Sequence, residues 1–133
     1  MDNKPKPKQY ISWGQIDKAI DIIFKQIKAA DKQYEMVVGI TRGGLIPAVI
    51  LSHKLDLPMM AMPKEHVLPP ETAKNVLIVD EIYDTGATIN LIKQHHPNTD
   101  FAVLYPNLNL PRLNYYGHIK RLDHWLVFPW EME

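Results

Sequence analysis

Apolar side chains spaced three or four residues apart predict three helices, over residues 13–29, 43–55 and 86–96. Ser12 precedes the first helix, where a side-chain oxygen can cap the N-terminus. Pro47 fits the second helix only within its first turn, where an N–H has no helical partner in any case. Pro97 follows the third helix and ends it.

Short apolar runs rich in β-branched residues predict buried strands over residues 36–40, 75–80 and 101–105, with weaker strands at 9–12 and 59–62. Edge strands are expected within 119–128, whereas 63–74 reads as a proline-rich loop and 106–117 as irregular. Because strands alternate with helices, the predicted fold class is α/β, with a mostly parallel twisted sheet flanked by helices.

Length and composition limit the organisation of the chain and its partners. The 133 residues, 46% of them apolar, predict one domain over residues 9–133 after a disordered Lys/Pro tail at 1–8. The formal net charge is zero, so we expect no basic face for nucleic acid. The sequence has no cysteine, no apolar run near the roughly 20 residues that cross a membrane, and no signal-peptide core. The cytoplasm is therefore the expected location.

Two of the predicted strands are followed by charged residues and glycines. In parallel sheets, ligands bind beyond the carboxyl ends of the strands. The segment TRGG, residues 41–44, follows the first buried strand. Asp80 and Glu81 end the central strand, and DTGAT, residues 84–88, then opens a helix. Small residues at a helix N-terminus favour an anion site, whereas adjacent carboxylates accept hydrogen bonds from hydroxyls. A sugar phosphate could bind to both features, with its hydroxyls at the carboxylates and its phosphate at the helix N-terminus.

The stretch VLIVDEIYDTGAT, residues 76–88, resembles the phosphoribosyl-diphosphate signature of the type I phosphoribosyltransferases. In that signature an apolar strand leads to two adjacent acids and then to Asp-Thr-Gly and a Thr. Here Glu81 stands where Asp is frequent, which keeps the carboxylate. The resemblance implies the type I fold and transfer of phosphoribosyl from its 1-diphosphate to a nucleobase, most simply a purine, with Mg²⁺ as cofactor.

The resemblance also implies roles for the residues of this stretch. Asp80 and Glu81 would hold the ribose hydroxyls and the metal. Asp84 would be the catalytic base that takes a proton from the purine. The 5-phosphate would be bound by the loop residues Asp84, Thr85, Gly86, Ala87 and Thr88.

The TRGG segment resembles the pyrophosphate loop of the same family. Its glycines permit close backbone approach, and an arginine is a natural partner of a diphosphate. The implied pyrophosphate-binding residues are Thr41, Arg42, Gly43 and Gly44. In that family this loop often contains a cis peptide bond that does not precede proline, so we predict one near Thr41, Arg42 or Gly43.

The C-terminal stretch HWLVFPWEM, residues 124–132, resembles that of the bacterial xanthine-guanine and related 6-oxopurine enzymes. By that resemblance Trp125 stacks on the base and Leu126 presents backbone groups to its edge, while Tyr83 is a further candidate. Those enzymes place a lysine after the strand matching residues 101–105, but here the position falls at or near Asn107. Asn can donate or accept, so the choice of base stays open.

The loop at 63–74 is shorter than the flexible lid of the family, which implies a reduced hood over the site. Two alternatives therefore stay open. The chain could be a regulatory protein that binds phosphoribosyl diphosphate or a nucleotide without catalysis, or a transferase for a base other than a purine. A flavodoxin-like signalling domain would not explain the two motifs. A homodimer or higher homo-oligomer would suit the family.

Overall fold

A computed structural model describes residues 5–72, 74–83, 86–107, 113–120 and 123–131. Three α-helices lie within these residues: α1 (Trp13–Ala30), α2 (Leu45–Leu55) and α3 (Ala87–His95). The strands are β1 (Lys8–Tyr10), β2 (Met36–Gly39), β3 (Met59–Ala61), β4 (Val76–Tyr83), β5 (Asp100–Pro106), β6 (Tyr115–Tyr116) and β7 (Trp125–Val127). None of the helices in the described part of the chain is long and apolar enough to span a bilayer.

Five strands form one parallel sheet in the order β3-β2-β4-β5-β6. Strands β1 and β7 form a separate parallel pair, in which Lys8 lies opposite Trp125. The α/β class and the mostly parallel sheet are confirmed. Because β2, β4 and β5 are adjacent and parallel, the segments that follow them meet at one edge of the sheet.

Apolar residues cover both faces of the sheet. One cluster joins α1 and α2 to alternate residues of the strands, including Val37, Leu77 and Leu104. The other joins α3 to the opposite alternation, including Val38, Ile78 and Phe101. Such continuous burial explains why these strands read as unbroken apolar runs.

Helix α1 begins where the sequence predicted. The Ser12 side chain accepts a hydrogen bond from the Gln15 N–H, and the Gln15 side chain accepts one from the Ser12 N–H. This reciprocal pair is a capping box, which satisfies two N–H groups that the helix cannot pair internally. Helix α2 starts at Leu45, so Pro47 lies in its first turn as expected.

Most element bounds shift by one or two residues, and three differences from the predictions are larger or have a clear cause. Strand β4 runs on past the acids to Tyr83, because Ile82 and Tyr83 still pair with Tyr105 and Pro106 of β5. Lys8, assigned to the tail, is the first residue of β1, whereas residues 1–4 lie outside the described residues. The irregular stretch 106–117 contains β6, a two-residue strand that apolar patterning is too coarse to detect.

The loop over residues 63–74 is anchored rather than open. Its Leu68 side chain is buried in the α3 cluster, and the Leu68 N–H donates to Nε2 of His96 at 2.8 Å. His96 must therefore be unprotonated at that nitrogen, and burial lowers its pKa in agreement. A short 3-10 turn, Pro70–Thr72, follows.

Candidate active site

The segments after β2 and β4 lie against each other at the carboxyl edge of the sheet. Gly39 pairs with Val79, and the Ile40 N–H donates to the Val79 carbonyl at 2.9 Å. At Gly43 a Cβ atom would lie 2.2 Å from Oε2 of Glu81. The TRGG segment and the acid pair, 38 positions apart between Gly43 and Glu81, are therefore in contact, and a side chain at position 43 would displace the Glu81 carboxylate.

The turn that carries Arg42 is tight. The peptide bond between Thr41 and Arg42 is cis, which confirms the prediction. Gly44 packs against backbone, since a Cβ there would lie 2.6 Å from the Ile40 carbonyl oxygen and 2.7 Å from that of Val79. Gly44 is also the N-cap of α2, and no side chain of the described residues caps that helix. The N-terminus of α2 thus opens beside Arg42.

Asp80 and Glu81 share a partly buried position at the end of the central strand. The Glu81 N–H donates to Oδ1 of Asp80 at 2.9 Å. Burial, then the charge of Glu81 and a hydrogen bond to it, raise the pKa of Asp80 well above its usual range. Burial also raises the pKa of Glu81, although its hydrogen bond with Asp80 opposes that shift. Within the described residues Oε2 of Glu81 is buried with no hydrogen-bond partner. The carboxylates of Asp80 and Glu81 could therefore accept further hydrogen bonds or bind a cation.

The phosphate loop leads into α3. Gly86 is the N-cap of that helix with a φ of 78°, a left-handed conformation that glycine adopts without steric cost. No side chain of the described residues caps α3, and the side chains of Ala87 and Thr88 are exposed and half-buried. Asp84 and Thr85, which carry the predicted general base and a phosphate contact, lie outside the described residues.

A cavity of about 790 Å³ opens over this edge of the sheet. Its lining includes Arg42, Gly43 and Glu81 together with Trp125 and Leu126. The Trp125 side chain is 60% exposed, unlike a tryptophan that serves the core, whereas Leu126 is buried. The cavity therefore brings together part of the predicted pyrophosphate, ribose and base sets, whereas Thr41, Gly44 and Asp80 are not among the residues that line it.

Two of the predicted base contacts lie elsewhere. Tyr83 is buried among the α3 cluster, and its hydroxyl lies 2.5 Å from where a Cβ of Gly86 would be. Asn107 is buried as well, and its N–H donates to the Tyr83 carbonyl at 3.1 Å. Neither residue is part of the cavity lining.

Other residues line the cavity without having been predicted to do so. They are Lys6, Ile46, Ile82, Lys120, His124, Phe128, Trp130 and Glu131. Phe128 and Trp130 stack with their ring centroids 5.0 Å apart and their planes 9° apart. The spacing of the C-terminal motif could have indicated this pair, whereas Lys120 has no motif around it.

Comparison with known proteins finds relatives that are similar to this chain over most of its length. No family model matches it. The xanthine-guanine phosphoribosyltransferase of Cereibacter sphaeroides is 29% identical, over 92% of this chain and 86% of that protein. The crystal structure of a purine phosphoribosyltransferase from Pyrococcus horikoshii is 30% identical, covers 95% of both chains and has a TM-score of 0.73. The Helicobacter pylori xanthine-guanine-hypoxanthine phosphoribosyltransferase shares the fold at a TM-score of 0.75, with 21% identity and 93% coverage of both chains.

The first two of these similarities extend over 92% and 95% of the chain. The chain therefore belongs to the type I phosphoribosyltransferase family.

Proposed function

We propose that this protein transfers the phosphoribosyl group of 5-phosphoribosyl 1-diphosphate to a purine base, giving a nucleoside 5-monophosphate and pyrophosphate. The observation that carries the proposal is the contact of Gly43 with the Glu81 carboxylate beneath a cavity that also contains Trp125. It joins an anion-binding turn, a pair of hydroxyl acceptors and an exposed aromatic ring in one space. Relatives named purine and xanthine-guanine phosphoribosyltransferases support a purine as the acceptor.

The donor would extend along the edge of the sheet. Arg42 and the backbone N–H group of Gly43 would bind its diphosphate, with Thr41 completing that turn, whereas the Gly44 N–H already donates to the Ile40 carbonyl at 2.9 Å. Asp80 and Glu81 would accept hydrogen bonds from the 2- and 3-hydroxyls of the ribose. The unpartnered Oε2 of Glu81 is available for this, and a buried acceptor without a donor is otherwise unfavourable.

The 5-phosphate would occupy the N-terminus of α3. Residues 84–88 would supply two hydroxyls and backbone N–H groups there, and the helix dipole favours an anion at this end. The left-handed Gly86 turns the chain into the helix without a side chain in the way.

Mg²⁺ fits the acid pair. Oε2 of Glu81 has no hydrogen-bond partner among the residues that the structure describes, and burial disfavours the negative charge on both carboxylates. A bound cation would contact that oxygen and stabilise the charged form of both groups. Within the described residues there is no group of three or more His, Cys, Asp or Glu side chains that could enclose a metal. Two adjacent carboxylates suit Mg²⁺, which keeps waters and binds through one or two carboxylates plus substrate oxygens. When bound, the ion would neutralise charge on the departing diphosphate.

The base would stack on Trp125, with backbone groups of Leu126 at its edge. A ring nitrogen of the base forms the new bond to C1 of the ribose while the bond from C1 to the diphosphate oxygen breaks. The nitrogen loses its proton to Asp84, and the electron pair of the broken bond leaves with pyrophosphate. Positioning and charge stabilisation would supply most of the rate enhancement.

A panel of free purine and pyrimidine bases tests this proposal. With donor and Mg²⁺ present, nucleotide should form from at least one purine and from no pyrimidine, as measured by mass spectrometry. Calorimetric titration with the donor runs in parallel. Donor binding without product from any base would instead favour a regulatory protein, and product from pyrimidines alone would favour a different transferase.

A further inference from the structure

Lys6, in the segment that precedes β1, lines the active-site cavity. It does so together with Arg42 and Gly43 of the pyrophosphate turn. The Lys6 side chain is exposed, and no carboxylate of the described residues forms an ion pair with it. The cavity therefore has a second cationic side chain that no predicted motif contains.

The backbone beside Lys6 is fixed to the strand that carries Trp125. The Trp125 N–H donates to the Pro7 carbonyl at 2.9 Å, and Lys8 lies opposite Trp125 in the β1–β7 pair. Lys6 also lies between two prolines, Pro5 and Pro7. Proline fixes its own φ and restricts the residue before it to extended conformations. Because this segment is stiff, little backbone entropy is lost when Lys6 binds a ligand.

The loop over residues 63–74 does not supply a cation to this cavity. None of its described residues lines the cavity, and Leu68 holds the loop against α3 through its burial and its hydrogen bond to His96. Lys120, another cation of the lining, is buried, and His124 contacts Asp123 at 2.8 Å.

Among the described residues of the lining, Arg42 and Lys6 are thus the exposed lysine and arginine side chains. A ligand with negative charge in this cavity would meet both of them.

The phosphoribosyl donor has two anionic groups, and the cavity contains residues for one of them. Its lining includes Arg42 and Gly43, whereas Ala87 and Thr88 at the N-terminus of α3 are not among the lining residues. The diphosphate would therefore share the cavity with Lys6, and the 5-phosphate would be bound outside it. When the bond from C1 to the diphosphate oxygen breaks, its electron pair adds negative charge to the departing pyrophosphate. A cation at this point stabilises charge that develops in the transition state.

We propose that Lys6 donates hydrogen bonds to the diphosphate of the donor and, with Arg42, binds the pyrophosphate as it leaves. The inference rests on the proposed function. A neutral base would offer the ammonium group only an uncharged acceptor, whereas hydrogen bonds between a cation and a phosphate oxygen are about twice as strong. The N-terminal segment would thus supply a contact that the short loop over residues 63–74 does not.

Lys6→Met tests the inference, because it removes the ammonium group and keeps an unbranched aliphatic side chain. We expect it to weaken the binding of pyrophosphate and of the donor, each with Mg²⁺, roughly 10-fold in calorimetric titrations. This is the lower end of the loss for a hydrogen bond between charged groups, since the side chain is exposed. Lys6→Arg keeps the charge and should bind both ligands within about 3-fold of wild type. A merely structural role of the side chain would not depend on its charge.

Lys25→Met is the matched control. It removes the same charge from an exposed lysine of α1, which pairs with Asp21 at 3.0 Å. Its affinity for pyrophosphate should equal that of the wild type, because Lys25 is not part of the cavity lining.

Steady-state kinetics distinguish contact with the diphosphate from contact with the base. In Lys6→Met the KM for the donor should rise about 10-fold, and the KM for the base should stay constant. Unchanged pyrophosphate affinity, a rise in KM for the base alone, or an equal loss in Lys25→Met would overturn the inference and leave the transferase proposal standing. Conversely, if wild-type protein binds the donor without forming nucleotide, the transferase proposal fails, and a 10-fold weaker donor affinity of Lys6→Met would still support the contact.

Discussion

Replacing Gly43 with alanine tests whether the pyrophosphate turn and the acid pair work as one site. The new Cβ would lie 2.2 Å from Oε2 and 2.6 Å from the carboxyl carbon of Glu81. Since ordinary contacts begin near 3.4 Å, the carboxylate must retreat by about 1 Å. Glu81 can do so by rotating its side chain, at a cost of about 1 kcal/mol. A displacement of about 1 Å at a reacting centre lowers activity roughly 100-fold.

Two other glycine variants make the result interpretable. Gly44→Ala pushes a Cβ against the backbone carbonyls of Ile40 and Val79, which cannot rotate away. It should lower stability by about 1–3 kcal/mol or more. At Gly14 in α1 the nearest atom, Oγ of Ser12, would lie 3.8 Å from a new Cβ, so Gly14→Ala should leave activity unchanged.

The assay combines kcat/KM for the phosphoribosyl donor with thermal unfolding. Gly43→Ala should lose activity roughly 100-fold while its melting temperature falls by no more than about 4 °C, the shift that corresponds to about 1 kcal/mol. Wild-type kcat/KM in a folded Gly43→Ala protein would refute the reasoning. A large fall in melting temperature would refute it too, because the loss would then report on folding.

Three further predictions concern single side chains. Trp125→Ala should raise KM for the base about 5- to 150-fold, from roughly 1–3 kcal/mol of stacking, and leave KM for the donor unchanged; a rise in both would show that the ring orders the whole site. Asp84→Asn should lower turnover far more than donor affinity, and equal losses would remove Asp84 as the base. Burial raises the pKa of Asp80, so the folded state keeps a proton that the unfolded state releases above about pH 4. The free energy of unfolding of the ligand-free protein should therefore fall as pH rises. Asp80→Asn should weaken that dependence and be at least about 1 kcal/mol more stable than wild type at pH 8, as measured by urea unfolding at pH 5 and pH 8. An equally steep decline in the variant would contradict the assignment to Asp80.

The sequence predicted the elements whose signal is local. The apolar spacing of α1 and the runs of β2, β4 and β5 follow from which faces the sheet buries. Ser12 was identifiable because a capping box uses neighbours three residues apart. The motif containing Asp80 and Glu81 was identifiable because DTGAT follows the acids closely and opens a helix.

What sequence could not predict depends on contacts between distant segments. The short strand β6 exists because β5 pairs with it and because the Gln26 side chain of α1 bonds both the N–H and the carbonyl of Tyr116, each at 2.9 Å. Lys120 reaches the cavity only because its N–H bonds the end of β5. The direction in which Asn107 and Tyr83 point is likewise a property of the packed sheet.

The most direct test of transferase activity is the stoichiometry of the products. Purified protein is incubated with 5-phosphoribosyl 1-diphosphate, Mg²⁺ and hypoxanthine, and both nucleotide and pyrophosphate are quantified over time. Catalysis at the site formed by Gly43, Glu81 and Trp125 predicts inosine 5-monophosphate and pyrophosphate in equal amounts. Pyrophosphate release without nucleotide, or no consumption of donor with any purine, would contradict it.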